Sequence, residues 1–316
     1  MKIVITGSLA YDIILNLPGK FSSYILPDKL HQINVSFATD THTKNFGGTA
    51  GNQAYSLALL GEKPMLFAAA GNDFDPYKKF LEKHGVDTTH VKIIKNKLTA
   101  SGFAITDEVN NQVWGYSKSA MSDSKDHHLE IIKSELLEDK NPLVVLTPCG
   151  EEGLVNYVDE CVKFGFPFAF DPAFYIPTLP IETLQKGIQN AQLVFGNDYE
   201  FELFQSKAKI HSYTLKKSQV FITTLGEKGS RITKNGKIIT VKPAKVKKVI
   251  DPTGAGDAYR SGFLAGYVRK LPLKVCGQMG SVASAFVVEQ KGTVNHFYTK
   301  KEFIKRYKEN FGDLSF

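Results

Sequence analysis

The chain has no apolar run long enough to cross a bilayer, and its start, Met1-Lys2-Ile3-Val4-Ile5-Thr6-Gly7, lacks a signal peptide's long apolar stretch and small-residue cleavage site. A membrane span and secretion are therefore not expected; the cytoplasm is. Cysteine is scarce: Cys149, Cys161 and Cys276 are odd in number, widely spaced and form no Cys-x-x-Cys pair, which argues against a disulfide framework or a zinc site. No low-complexity tract, linker or long internal repeat divides the sequence. The formal net charge is +7, yet the basic residues are scattered, densest at 245–248 and 300–308, with no nucleic-acid-binding motif beside them. They read as solvated faces, mildly attractive to an anionic small molecule, and no nucleic-acid partner is expected.

What remains is enough for a sizeable core: 316 residues with 42% hydrophobic side chains. Strand-like apolar runs alternate with helical patterns: Ile3–Ile5 then Ala50–Leu60, Met65–Ala69 then Tyr77–His84, Leu143–Leu146 then Gly153–Phe164. Phe168–Phe170 is followed by Ile181–Ala191, and Val194–Phe195 by Tyr199–Gln205. This alternation predicts an α/β fold, a mostly parallel sheet with helices on both faces. Gly61 and Gly85 stand where helices should stop, and Asn235-Gly236 should turn a hairpin between Ser230–Thr233 and Ile238–Val241. Two stretches break the alternation, about 13–45, with period-two character at Ile33–Phe37, and about 97–116 around the turn Asp107–Asn111. They predict antiparallel additions at one sheet edge, a small strand-built lid on a single domain spanning 1–316.

The strongest chemical signal follows the strand-like Val246–Ile250: Asp251-Pro-Thr-Gly-Ala-Gly-Asp257, running straight into a helical pattern over Ala258–Val268. Gly254, Ala255 and Gly256 let backbone N–H groups at a helix N-terminus approach an anion, where the helix dipole favours negative charge. Glycines alone would equally suit a structural turn. A carboxylate just inside the helix is the stronger indication, because Asp257 beside a polyphosphate would be costly unless it removes a proton from an attacking hydroxyl. Arg260 follows one turn later.

Asp251-Pro-Thr-Gly-Ala-Gly-Asp-Ala-Tyr-Arg-Ser-Gly-Phe263 resembles the second signature of the ribokinase-like (phosphofructokinase B) kinases. Gly47-Gly48-Thr-Ala-Gly-Asn52 resembles their first, Asn197-Asp-Tyr-Glu200 their Asn-x-x-Glu motif, and Thr224-Leu-Gly-Glu-Lys-Gly229 their nucleotide-phosphate loop. The resemblance covers nearly the whole chain and implies a ribokinase-like three-layer sandwich with a small β-strand lid. It further implies ATP and Mg2+ as cofactors, Asp257 as base and Gly254–Gly256 as the anion hole. Thr224, Gly226, Gly229, Asn197 and Thr253 would contact ATP, while Glu200 and Asn197 would hold magnesium through its waters. For Asn197 and Glu200 the alternative is a helix cap with Glu200 at its third position. Asp251 and Thr253 match positions that bind a monovalent cation in some members, so K+ activation is a further expectation. Asp171, at a strand's carboxyl end, suits an active-site acid, but Pro172-Ala-Phe-Tyr175 lacks the arginine many sugar kinases of the family carry there. His127-His128 reads as the exposed start of a helix rather than a metal site.

At the acceptor end the resemblance implies that Asp12, Gly47, Gly48 and Asn52 bind sugar hydroxyls. Phe37, Phe46, Phe103, Trp114 and Tyr116 are singly more natural as packing residues, but together could wall a pocket for a nucleobase, with Phe103 and Tyr116 as the contacts. The second signature and Ser284-Ala-Phe-Val-Val-Glu-Gln-Lys-Gly292 look closest to prokaryotic nucleoside and adenosine kinases. A ribonucleoside, adenosine first, is thus the expected acceptor, phosphorylated on its 5′-hydroxyl. A ribose or ketohexose kinase is the alternative, and a non-catalytic nucleotide-binding regulator a more distant one. A homodimer through the lid is the expected assembly.

Overall fold

A computed structural model describes residues 2–32, 34–39, 41–109, 111–139, 141–209, 216 and 218–313. The strands are β1 (Ile3–Thr6), β2 (Ala10–Asn16), β3 (Thr41–Gly47), β4 (Met65–Gly71), β5 (Asp87–Ile94), β6 (Ala100–Thr106) and β7 (Gln112–Ser117). There follow β8 (Leu143–Leu146), β9 (Phe168–Phe170), β10 (Leu193–Asn197), β11 (Val220–Thr224), β12 (Ser230–Lys234) and β13 (Lys237–Val241). The helices are α1 (Thr49–Leu59), α2 (Asp75–Lys83), α3 (Lys133–Glu138), α4 (Glu151–Phe164) and α5 (Ile181–Asn190). The remaining four are α6 (Asp198–Ala208), α7 (Ala255–Val268), α8 (Leu273–Val288) and α9 (Lys300–Phe311).

Nine strands form one sheet in the order β13-β12-β11-β10-β9-β8-β1-β4-β5. It is parallel from β11 to β5; β12 runs antiparallel to β11 and forms the hairpin with β13. Strand alternation assigns the two faces: Ile3 and Ile5 pack with residues of α1, α7, α8 and α9, whereas Val4 packs with those of α3 to α6. This is the expected three-layer α/β sandwich. Both faces are covered, so the central strands read as continuous apolar runs; all seven residues of β4 are buried. On one face α7 and α8 cross closely because Gly262 has no side chain; a Cβ there would sit 2.5 Å from the Met279 carbonyl oxygen. The hairpin turn has the positive φ angles its Asn-Gly demands, 48° at Asn235 and 71° at Gly236. Among the described residues no helix is long and apolar enough to cross a membrane.

The additions to the alternation are not at an edge of this sheet. They form a second, four-stranded sheet in the order β3-β2-β6-β7, in which β2 and β6 run parallel. Three local expectations fail. Residues 34–39 form no strand, and the pairing segment is Thr41–Gly47; Phe37 instead packs edge-on to Phe21 and Tyr24 (Ile33 lies outside the described residues). Val246–Ile250, β-branched as it is, pairs with no strand: the N–H groups of Lys247 and Ile250 are taken by Glu289 and by the Val288 carbonyl. His127 is not exposed but buried against the Phe67 ring, centroids 3.9 Å apart, and burial pushes its pKa down.

Candidate active site

The first turn of α7 lies at the floor of a cavity of about 890 Å³. Gly254 caps the helix with φ 81°, a conformation that suits glycine. The first intrahelical bond is donated by Ala258 to the Gly254 carbonyl. The N–H groups of Gly256 and Asp257 therefore have no acceptor among the described residues, as the opening turn of a helix requires. Asp257 Oδ2 accepts from Asn52 Nδ2 at 2.8 Å and Oδ1 from Gln53 Nε2 at 3.3 Å. Ser261 Oγ bonds the carbonyls of both Gln53 and Asp257, tying α1 to α7. Burial raises the Asp257 pKa above the usual carboxylate range; the Arg260 charge and the two amides oppose that shift, and nearby Asp171 adds to it. A carboxylate whose proton affinity is raised, with its orientation fixed by two amides, is suited to proton removal.

The rest of the cavity gathers the nucleotide motifs. Asn197, Glu200, Thr224, Gly226 and Gly229 line it, as do Asp171 and Arg260. Asn197 and Glu200 form a capping box on α6, each side chain accepting from the other's backbone N–H at 2.8 Å. The cap does not exhaust Glu200: its second oxygen, Oε1, has no hydrogen bond among the described residues, and burial, with Asp171 adding, raises its pKa. A half-buried carboxylate facing a cavity in that state suits a hydrated divalent cation. Gly229 has φ 88° and sits so close to the Val241 carbonyl that no other residue fits. Thr253 does not line the cavity. Asp251 accepts from the N–H groups of Thr253 and Gly292, both at 2.9 Å, so each of its oxygens already has a partner where a cation was expected.

The residues expected at the acceptor lie beyond this cavity, on the small sheet and the start of α1. Asp12 is on β2, and burial, helped by Asp251, pushes its pKa up to about 6. Gly47 and Gly48 make the carboxylate's position possible. A Cβ on Gly47 would collide with Asp12 Oδ2, and Gly48, at φ 89°, would place one 2.5 Å from the Ser8 carbonyl oxygen. Register pairs Asp12 with Gly102 on β6 and Gly102 with Tyr116 on β7. A Cβ on Gly102 would meet Asp12 Oδ1, Trp114 and Tyr116, all at 3.0–3.1 Å, so the four residues share a face. Trp114 and Tyr116 are stacked there, centroids 5.5 Å apart and planes 6° from parallel. Phe103, adjacent to Gly102 in its strand, points to the opposite face and away from Asp12. Phe46 is packing, stacked on Tyr77 at 4.4 Å. One neighbour of Asp257 and one pairing beside it are not legible in the sequence. Gln53 shows no signal beyond following Asn52, and the Arg260–Asp171 pair joins residues 89 apart in the chain.

The pattern of pfkB family carbohydrate kinases matches residues 2–300. The chain belongs to that family. As a member it is a kinase, a phosphotransferase with a hydroxyl group as acceptor. A nucleoside kinase of Methanocaldococcus jannaschii is 29% identical over 320 residues, covering 98% of this chain and 97% of that one. One of Methanothermobacter thermautotrophicus is 27% identical, covering 97% and 95%. The structure of Burkholderia thailandensis nucleoside kinase in complex with inosine superposes with a TM-score of 0.86 at 29% identity, covering 99% of this chain and all of that one.

Proposed function

We propose that this kinase transfers the γ-phosphoryl group of ATP to the 5′-hydroxyl of a ribonucleoside, adenosine first. The observation that carries the nucleoside over a free sugar is the Trp114–Tyr116 stack beside Asp12: a flat aromatic surface next to an acid able to accept from ribose hydroxyls. Two nucleoside kinases among the relatives, and the inosine complex of a third, support the same class. In this reading Asp12 anchors the ribose and Asp257 takes the proton as the acceptor oxygen attacks. The new O–P bond forms while the bond to the β-phosphate breaks, its electron pair leaving on the diphosphate. The free N–H groups of Gly256 and Asp257 hold oxygens of the group in flight. Glu200 and Asn197 would hold magnesium through water, and the ion would supply neutralisation of the phosphate charge. Each Asp251 oxygen accepts one N–H and keeps a further acceptor site, so a potassium ion beside Asp251 and Thr253 stays part of this reading. The opposite face of the small sheet, with Ile13, Phe103 and Val113, is where a homodimer through the lid would form, testable by sedimentation.

The direct test is a panel of adenosine, inosine, cytidine, ribose and fructose with ATP and magnesium. The expected result is kcat/KM highest for a nucleoside. Ribose or fructose turning over better than every nucleoside would replace this reading with a sugar kinase.

A further inference from the structure

Arg260 has no task in the chemistry just described, yet it is one of the most constrained side chains in the cavity. It is 8% exposed and extends from the second turn of α7 back toward the helix start, as helical side chains do. Asp171 holds one side of the guanidinium: Nη2 donates to Oδ1 at 2.8 Å, and Nε lies in ion-pair contact with Oδ2 but outside hydrogen-bond geometry. Glu200 Oε2 is 3.9 Å from Nη2. Nη1, by contrast, has no hydrogen-bond partner among the described residues. It sits beside the anion-hole turn, where a Cβ on Gly256 would be 2.8 Å away.

Two features argue against a purely structural ion pair. Burying a charged pair stabilises a fold little or not at all compared with packing apolar groups in its place, and a structural pair has no need to leave one end of the fork unpartnered in a ligand-sized cavity. Gly256 is the second. Its φ is not positive, so backbone freedom does not call for glycine there; what the missing side chain provides is room for Nη1 next to the free N–H groups. Cationic fork and helix N-terminus would repel one another unless an anion joined them. Asp171, Asp257 and Glu200 offset part of that repulsion through their charge, but none of them hydrogen-bonds Nη1, which is left for a ligand.

We propose that Arg260 is a further catalytic residue, donating through Nη1 to the terminal phosphoryl group of the nucleotide, and that Asp171 is its positioning residue. The proposal rests on the phosphoryl-transfer reading above. It assigns a guanidinium to the charge that develops on the transferred group, a role in which a single arginine is worth about 10³–10⁵ in turnover in other phosphoryl-transfer enzymes.

The test compares binding of ATP and ADP, each with magnesium, to the full chain and to Arg260→Gln by calorimetry, which needs no acceptor, and then measures kcat and acceptor KM. The expected result is selective loss of ATP affinity, about tenfold or more beyond any loss for ADP, with kcat down about 10²–10³-fold and acceptor KM little changed. Equal weakening of ATP and ADP, or kcat within about threefold of wild type, overturns the proposal. If Arg260→Gln does not fold, Arg260→Lys keeps the charge Asp171 needs but loses the fork; full turnover in that variant also overturns it. A wild-type chain that phosphorylates sugars and no nucleosides would sink the nucleoside reading and leave the ATP–ADP comparison standing.

Discussion

The proposed phosphate end and the proposed acceptor end of this kinase are built differently. The phosphate end is made of contiguous motifs at the ends of elements in the large sheet: the start of α7, the β10–α6 junction and the turn after β11. Its groups are locked by local bonds such as the Asn197–Glu200 box and the Asp251 turn. The acceptor end is assembled by strand register on the small sheet, where Asp12, Gly102, Trp114 and Tyr116 meet across three strands and Tyr116 is 75% exposed. The lesson is that reaction type resides in short segments and selectivity in register, so substitutions at the two ends should separate kcat from acceptor KM.

The largest effect is expected at the phosphate end. Asp257→Asn keeps the shape of the side chain but cannot take the proton, so kcat should fall about 10³-fold or more while ATP affinity stays near wild type. Near-normal turnover would remove Asp257 as the base.

Asp12→Asn should act on the other end, raising acceptor KM far more than it lowers kcat. Its pH behaviour sharpens the comparison. With the folded pKa raised to about 6, wild-type acceptor KM should climb as pH falls through 6, because the protonated acid loses acceptor capacity for sugar hydroxyls. A raised carboxyl pKa also means that folding binds a proton between the ordinary aspartate value of 3.8 and about 6. This group therefore costs stability progressively as pH rises through that window. Asp12→Asn should accordingly melt higher than wild type above pH 6 and converge with it below pH 4. A variant less stable at neutral pH would contradict the buried, uncompensated acid.

A smaller effect is expected at the aromatic stack. Trp114→Ala should raise nucleoside KM by about five- to a hundredfold, the worth of stacking one base, and leave ribose kinetics unchanged. The smallest is at Phe103: on the opposite face, Phe103→Ala should leave nucleoside KM within about twofold. A Phe103 effect as large as that of Trp114 would mean that the base does not lie on the Asp12 face.

The same difference governs what could be read from the letters. Helix and strand periodicity carried the α/β layers, and the Asp251–Asp257 run carried a glycine-capped helix start with a carboxylate in its first turn. What the sequence could not carry was pairing at long range. Nothing near residue 171 says that Arg260 will grip it, and nothing in Gln53 says that it will reach Asp257. In Phe103 and Tyr116 the residue type was right for stacking, but which one faces Asp12 depends on a pleat set by partners on other strands. Val246–Ile250 has strand composition without a strand because its N–H groups find Glu289 and the Val288 carbonyl, and Val246 and Val249 border the cavity instead. The segment 34–37 misled for a related reason: alternation without a partner strand does not make a sheet.

The two ends meet at one oxygen atom, and the most direct test is where the phosphate goes. Phosphorus NMR of the product formed from adenosine, ATP and magnesium should show the 5′-monophosphate alone. Phosphate on the 2′- or 3′-hydroxyl, or ATP hydrolysis without transfer, would contradict an acceptor anchored by Asp12 with its 5′-oxygen aimed at Asp257.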